Sequence, residues 1–282
     1  MRKIDALPLF LFVLVFSSVL FGQEKSPQTD TSVPPGEQNA RAALDKSPRH
    51  GEWIDIYYDG KTSIRTWVSY PERKDNAPVV LIIHEIFGLT DWIRAVADQF
   101  AKEGYIAVAP DLISGFGPNG KGSASVSSRD SVVMLIRDLS TEEAFKRLDY
   151  VRAFAVRLPS AKRECSTVGF CWGGGQSFAY ACNRPDLKAA IVFYGTSPDS
   201  AQLRNLKVPV LGLYGGDDAR VGATVGPAAA ELKQLGKTFE HEMYDGAGHG
   251  FLRAQGERDG ANLRAAEKAW PRVIEFLKKY FQ

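Results

Sequence analysis

Val168-Gly169-Phe170-Cys171-Trp172-Gly173-Gly174-Gly175 is the stretch that decides how this chain folds. It has the form G-x-S-x-G, with cysteine in the place of serine. That pattern marks a nucleophile elbow, a sharp turn from strand to helix that holds its central side chain in a strained, exposed position. The flanking glycines leave room for the turn and for close approach of strand and helix. A thiol held there points to covalent attack on an acyl group.

Working outward, the elbow predicts a strand over 166–170 and a helix over 174–181. Upstream, residues 53–58 and 63–70 alternate as half-buried strands and turn at Asp59-Gly60, an antiparallel hairpin. Val79-Val80-Leu81-Ile82-Ile83 is an unbroken aliphatic run, the mark of a strand covered on both faces. A helix over 89–102 and a strand over 105–109 follow it. Residues 113–128 are rich in glycine and serine and predict a long mobile loop, followed by a helix over 142–157. Downstream come strands over 189–194, 209–214 and 238–244, with helices over 226–235 and 258–281. Short apolar strands alternating with helices give a mostly parallel sheet with helices on both faces, the α/β class.

The chain has 282 residues, of which 44% are hydrophobic and 24% charged, enough apolar material for one α/β domain. A net charge of +2 with scattered basic residues argues against a nucleic-acid surface. Arg2 and Lys3 precede an apolar run over 7–21, which Gly22-Gln23 ends. This reads as a signal peptide over 1–22, hence an exported protein, periplasmic or secreted if bacterial. At about 15 residues the run is shorter than the ~20 that span a bilayer. An uncleaved anchor is the alternative and would be the membrane contact. Residues 23–50, with Pro34-Pro35-Gly36, predict a flexible linker, and 51–282 the folded domain. The cysteines at 165 and 182 leave two arrangements open, a Cys165–Cys182 disulfide or three reduced thiols with Cys171.

A thiol nucleophile needs a base, and the base needs an orienting group. Of the four histidines, His50 lies in the linker, His241 in mid-strand and His84 at a strand end. His249, in Asp245-Gly246-Ala247-Gly248-His249-Gly250-Phe251, lies in a small-residue loop after the last strand and is the candidate base. The acid follows another strand, in Tyr214-Gly215-Gly216-Asp217-Asp218, and is Asp217 or Asp218. The order nucleophile, acid, histidine is that of the α/β-hydrolases. The chain carries no His-Glu-x-x-His and no Cys-x-x-Cys pattern, so no metal is expected. Acyl transfer by a thiol calls for no cofactor. One oxyanion donor is the N–H of the residue after the nucleophile, Trp172, and the second comes from a loop after an earlier strand.

Over roughly residues 50 to 282 the chain resembles the dienelactone hydrolase family. The resemblance rests on His84-Glu85-Ile86-Phe87-Gly88, Ala109-Pro110-Asp111-Leu112, Gly169-Phe170-Cys171-Trp172-Gly173-Gly174, Gly215-Gly216-Asp217-Asp218 and Ala247-Gly248-His249-Gly250-Phe251, in that order. It implies the α/β-hydrolase fold, a Cys171–His249–Asp218 triad, and Ile86 as the second oxyanion donor. It also implies that Glu85 contacts the resting thiol and gates it, and that Arg253 and Arg129 bind a substrate carboxylate. Val133 and Ile136 stand where the family has aromatic residues, and Gly250 where serine is common. These departures point towards a different ester or lactone, larger or more apolar. The partner expected is a small ester or lactone, with a broad carboxylesterase or amidase as alternative, or a non-enzymatic thiol sensor or binding protein.

Overall fold

The computed structural model describes residues 33–58, 60 and 62–282. In chain order its first elements are α1 (Glu37–Lys46), β1 (Gly51–Tyr57), β2 (Ser63–Ser69), β3 (Ala77–Ile83), α2 (Asp91–Lys102) and β4 (Ile106–Pro110). Then come α3 (Arg129–Asp138), α4 (Thr141–Ala155), β5 (Ala161–Phe170), α5 (Trp172–Asn183), β6 (Ala190–Phe193) and α6 (Ser200–Leu203). The chain closes with β7 (Val210–Gly215), α7 (Ala219–Gln234), β8 (Phe239–Tyr244) and α8 (Ala261–Tyr280).

The eight strands form one sheet in the order β1-β2-β4-β3-β5-β6-β7-β8. The β1–β2 and β2–β4 pairs are antiparallel and the other five pairs parallel. Because strand side chains alternate faces, each central strand feeds two cores. Val80 and Ile82 of β3 join Trp92 and Phe100 of α2 and Trp270 of α8 on one face. Val79, Leu81 and Ile83 join Leu148 of α4, Phe178 of α5 and Val221 of α7 on the other. Each aliphatic side chain fully buried this way contributes about 1.5–3 kcal/mol. β5 lies between β3 and β6, so the loops after β3 and β6 flank the elbow at the carboxyl end of the sheet.

The linker expected over 23–50 is corrected where it is described. Residues 33–50 are built into the fold, with α1 lying on α2. Val33 and Ala40 are buried, and Leu44 packs against the same core. Trp92 Nε1 donates to the Pro35 carbonyl at 3.1 Å, and Arg49 pairs with Asp98. The Glu37 N–H donates to the Arg253 carbonyl at 2.9 Å, and Gln255 Nε2 donates to the Pro34 carbonyl at 2.8 Å. The segment therefore grips the loop that carries His249. The signal-peptide reading over 1–22, and residues 23–32 of the linker, lie outside the described residues.

The loop expected over 113–128 is pinned rather than free. The buried Asp111 carboxylate accepts from the N–H and hydroxyl of Ser123, at 2.7 and 2.8 Å. Helix α3 then begins within the stretch that sequence periodicity left unassigned, and α7 starts at Ala219, earlier than its sequence pattern. All three cysteines are free. Among the described residues, no helix is long and apolar enough to cross a membrane.

Candidate active site

The turn from β5 into α5 places Cys171 at φ 56° and ψ −117°, a left-handed conformation that a residue with a Cβ adopts only under strain. Close packing holds it there. A Cβ on Gly169 would stand 1.9 Å from the Gly173 carbonyl oxygen, and one on Gly173 would stand 2.3 Å from those of Ile83 and His84. The Cys171 N–H donates to the Phe193 carbonyl at 3.0 Å. The sulfur is thus presented at the amino end of α5, between the loops after β3 and β6.

His249 Nε2 lies 3.1 Å from Cys171 Sγ, and its Nδ1 lies 2.5 Å from Asp218 Oδ2. Asp218 is buried and caps α7, its Oδ1 accepting from the Val221 N–H at 3.3 Å. A carboxylate only accepts, so Nδ1 carries the ring proton and Nε2 is left free to accept from the thiol. Asp217, the other candidate acid, turns outward and pairs with Arg258 at 2.6 Å. Buried Asn262 of α8 ties the histidine loop down, accepting from the Gly248 N–H and donating to the Ala254 carbonyl. Its place in a helical pattern hid this role from sequence reading.

Burial first, and then the charge of Glu85, push the Cys171 thiol up to about 11. The N–H groups of Trp172 and Ile86 act on the sulfur in the opposite sense, as does Arg220. The thiol is therefore the resting form, and the two N–H groups converge where negative charge would develop. Burial raises Glu85 to about 7 against the pull of Arg253, and Glu37 adds to the rise. Arg253 Nε stands 2.8 Å from Glu85 Oε2, a close ion pair. Tyr194, at φ 41° after β6, sets its buried hydroxyl beside Glu85 and its ring edge-on to His249. Its position at the end of an apolar strand reads only as core.

His84 has a positioning role. Its Nε2 accepts from the Leu112 N–H at 3.2 Å, so the protonated Nδ1 donates to the Glu85 carbonyl at 2.8 Å. The ring stacks on Trp172, and burial lowers its pKa, keeping it neutral. One imidazole thereby ties the loops after β3 and β4 to each other and to Trp172 of the elbow.

The sign of the Glu85 effect is testable. The folded state holds the Glu85 proton more tightly than an unfolded carboxyl at 4.5, so ionising it costs stability as pH rises towards about 7. Above that pH the carboxylate opposes thiolate formation. In Glu85→Gln the charge is absent at all pH values, and the Cys171 pKa is expected to fall while burial keeps it above 9.0. Iodoacetamide alkylation followed against pH measures this. An unchanged midpoint would show that Glu85 does not control the thiol.

A cleft of about 630 Å³ opens over the sulfur, lined by Ile86, Trp172, Tyr194, Arg137 and Arg220 beside Cys171. Its size suits a drug-sized ligand. Sequence reasoning missed Arg137 and Arg220, whose helix starts were not legible. Arg253 and Arg129, expected to face substrate, do not line this cleft. Both hold Glu37 of α1 instead, Arg253 Nη1 at 2.6 Å. Where the family's aromatic residues were expected, Ile136 packs with Val132 and Ile113 under Trp172.

The chain as a whole has clear relatives. A profile of the dienelactone hydrolase family matches residues 64–281. The chain belongs to the dienelactone hydrolase family. Its similarity to family relatives extends over most of its length. A candidate carboxymethylenebutenolidase of Salmonella typhimurium is 29% identical over 92% of this chain and 95% of its own. A further one, of Saccharolobus solfataricus, is 30% identical over 80% of this chain and 98% of its own. The crystal structure of a candidate dienelactone hydrolase from Klebsiella pneumoniae superposes with a TM-score of 0.72 at 27% identity, covering 82% of this chain and 99% of that one. The α/β-hydrolase fold expected from the motifs is thus the fold of this family member.

Proposed function

We propose that this family member hydrolyses carboxylic esters or lactones through a Cys171 thioester. One observation carries the reading: Cys171, His249 and Asp218 stand in a single hydrogen-bonded line, at a sulfur whose negative charge the Trp172 and Ile86 N–H groups favour. Because the thiol is the resting form, His249 Nε2 takes the S–H proton as the sulfur bonds to the carbonyl carbon. The Ile86 and Trp172 N–H groups receive the oxyanion, a contribution worth about 10²–10³-fold per donor in turnover. Collapse of the tetrahedral species expels the alcohol oxygen, which takes the proton from His249 and leaves a thioester. Water, giving its proton to His249, then attacks the thioester carbonyl. The thiolate leaves and recovers that proton. Every step uses protein groups and water.

The high thiol pKa also weighs against a thiol sensor, since oxidants react with the thiolate. A protonated thiol tolerates an oxidising compartment, which fits export through the apolar run at 7–21. Mixing the protein with a p-nitrophenyl ester and quenching in acid tests the intermediate. The peptide carrying Cys171 should gain one acyl group, removable by hydroxylamine. Steady nitrophenol release with no acylated peptide at any time would refute the thioester route.

A further inference from the structure

Glu37 lies before residues 64–281, which the family profile matches, and comes from a segment whose composition suggested a tether. Yet its two carboxylate oxygens are taken by two different guanidinium groups. Oε2 pairs with Arg253 Nη1 at 2.6 Å and Oε1 pairs with Arg129 Nη2. Both guanidinium groups lie over the Phe87 ring, at 5.2 and 4.3 Å from its centroid. Arg253 also touches Glu85, which in turn acts on the Cys171 sulfur. Glu85 therefore joins this cluster to Cys171. Its charges are matched, two arginines to Glu37 and Glu85.

Two guanidinium groups converging on one carboxylate over an aromatic floor form a receptor for a carboxylate. Here the occupant is part of the chain itself. It is held in place by the Glu37 N–H bond to the Arg253 carbonyl and by the Trp92 and Gln255 bonds to Pro35 and Pro34. An intramolecular carboxylate is present at high effective concentration, so a free one competes poorly. Glu37 and Arg253 are part-buried while Arg129 is more than half exposed, so the receptor opens to solvent.

We infer that Glu37 is a specificity-determining residue: it fills the carboxylate receptor made by Arg129 and Arg253 and turns the site against substrates that bear a free carboxylate. The inference rests on the proposed ester or lactone hydrolysis and adds a substrate class to it, uncharged esters and lactones. Glu37 acts through the arginines and touches no reacting atom.

The test compares two aryl esters, the mono-p-nitrophenyl ester of glutaric acid and its methyl-capped neutral analogue. In Glu37→Gln the kcat/KM ratio of anionic over neutral ester should rise about 10-fold or more, chiefly through KM, because a charge-assisted bond to a freed guanidinium is worth that much. Glu37→Asp should keep a ratio nearer the wild type, and adding Arg129→Ala to Glu37→Gln should remove the gain. Glutarate should inhibit Glu37→Gln competitively at concentrations that leave the wild type unaffected. An unchanged ratio together with no glutarate inhibition overturns the inference. Cys171→Ala, assayed beside it on both esters, tells the two failures apart. If it stays active the thioester reading itself falls, and if it is inactive while the ratio is unmoved only the role of Glu37 falls.

Discussion

Cys171→Ala is expected to lower kcat/KM for a p-nitrophenyl ester by about 10⁴- to 10⁶-fold, the range seen when a nucleophile is removed from a triad. The substitution deletes one sulfur and little else. Alanine also carries a Cβ, so the left-handed backbone at φ 56° is no more and no less strained than before. His249 stays oriented by Asp218, and its loop stays tied by Asn262. The two N–H donors remain and leave residual catalysis of an ester bound over them. Initial rates together with thermal melting separate chemistry from folding. A folded Cys171→Ala protein within about 10-fold of wild type, far short of the loss expected for a nucleophile, would mean that the sulfur is not what attacks.

Asp218→Asn should cost about 10⁴-fold in kcat with the fold intact, as exchanging the acid of a triad for its amide does elsewhere. Asparagine caps a helix as well as aspartate, so α7 keeps the acceptor for the Val221 N–H. The loss comes from the tautomer. An amide NH₂ turned to His249 Nδ1 donates to it, which leaves the ring proton on Nε2, facing the sulfur. That nitrogen then cannot take the thiol proton. The pairing measured at 2.5 Å in the native site is what forbids this state. Joined to Cys171→Ala, the substitution should lower the rate little further, because the three groups act as one unit. A fall of less than about 10-fold for the single variant, against the ~10⁴ of the triad case, would assign the orienting role to another group.

Much of this was legible because the fold and the site share a grammar. Aliphatic runs such as Val79–Ile83 can only be strands covered on both sides, and glycines such as Gly173 stand where a side chain would strike the Ile83 carbonyl. Cys171, His249 and Asp218 each follow a strand of the parallel part of the sheet, so their meeting at one sheet end follows from parallel strand order. The illegible parts depend on contacts far apart in sequence. Helix α1 is short and polar, and only its packing on α2 through Ala40 and Leu44 makes it a helix. Arg253 and Arg129 could be named as cations from their positions, but not their occupant, which lies in α1. Tyr194 reads as one more core aromatic until its backbone angle and its nearness to Glu85 are seen. Arg220 gains its place at the cleft from the start of α7, which no helix pattern before Pro227 announced.

The hold of residues 34–37 on residues 253–255 also orders events in time. The bonds from Glu37 to Arg253 and from Pro34 to Gln255 join positions 216 and 221 residues apart. At ribosomal speeds of about 5–20 residues per second, on the order of ten to forty seconds separate the birth of the two ends. During that interval α1 has α2 to lie on and, once α3 is made, Glu37 has Arg129, but Arg253 is still missing. The turn at Cys171 is made before His249 exists. A chain that stops short of His249 has Cys171 without its imidazole partner, and Glu37 with Arg129 but not Arg253. The contact between Cys171 and His249 therefore forms last, when the loop bearing His249 closes back onto α1.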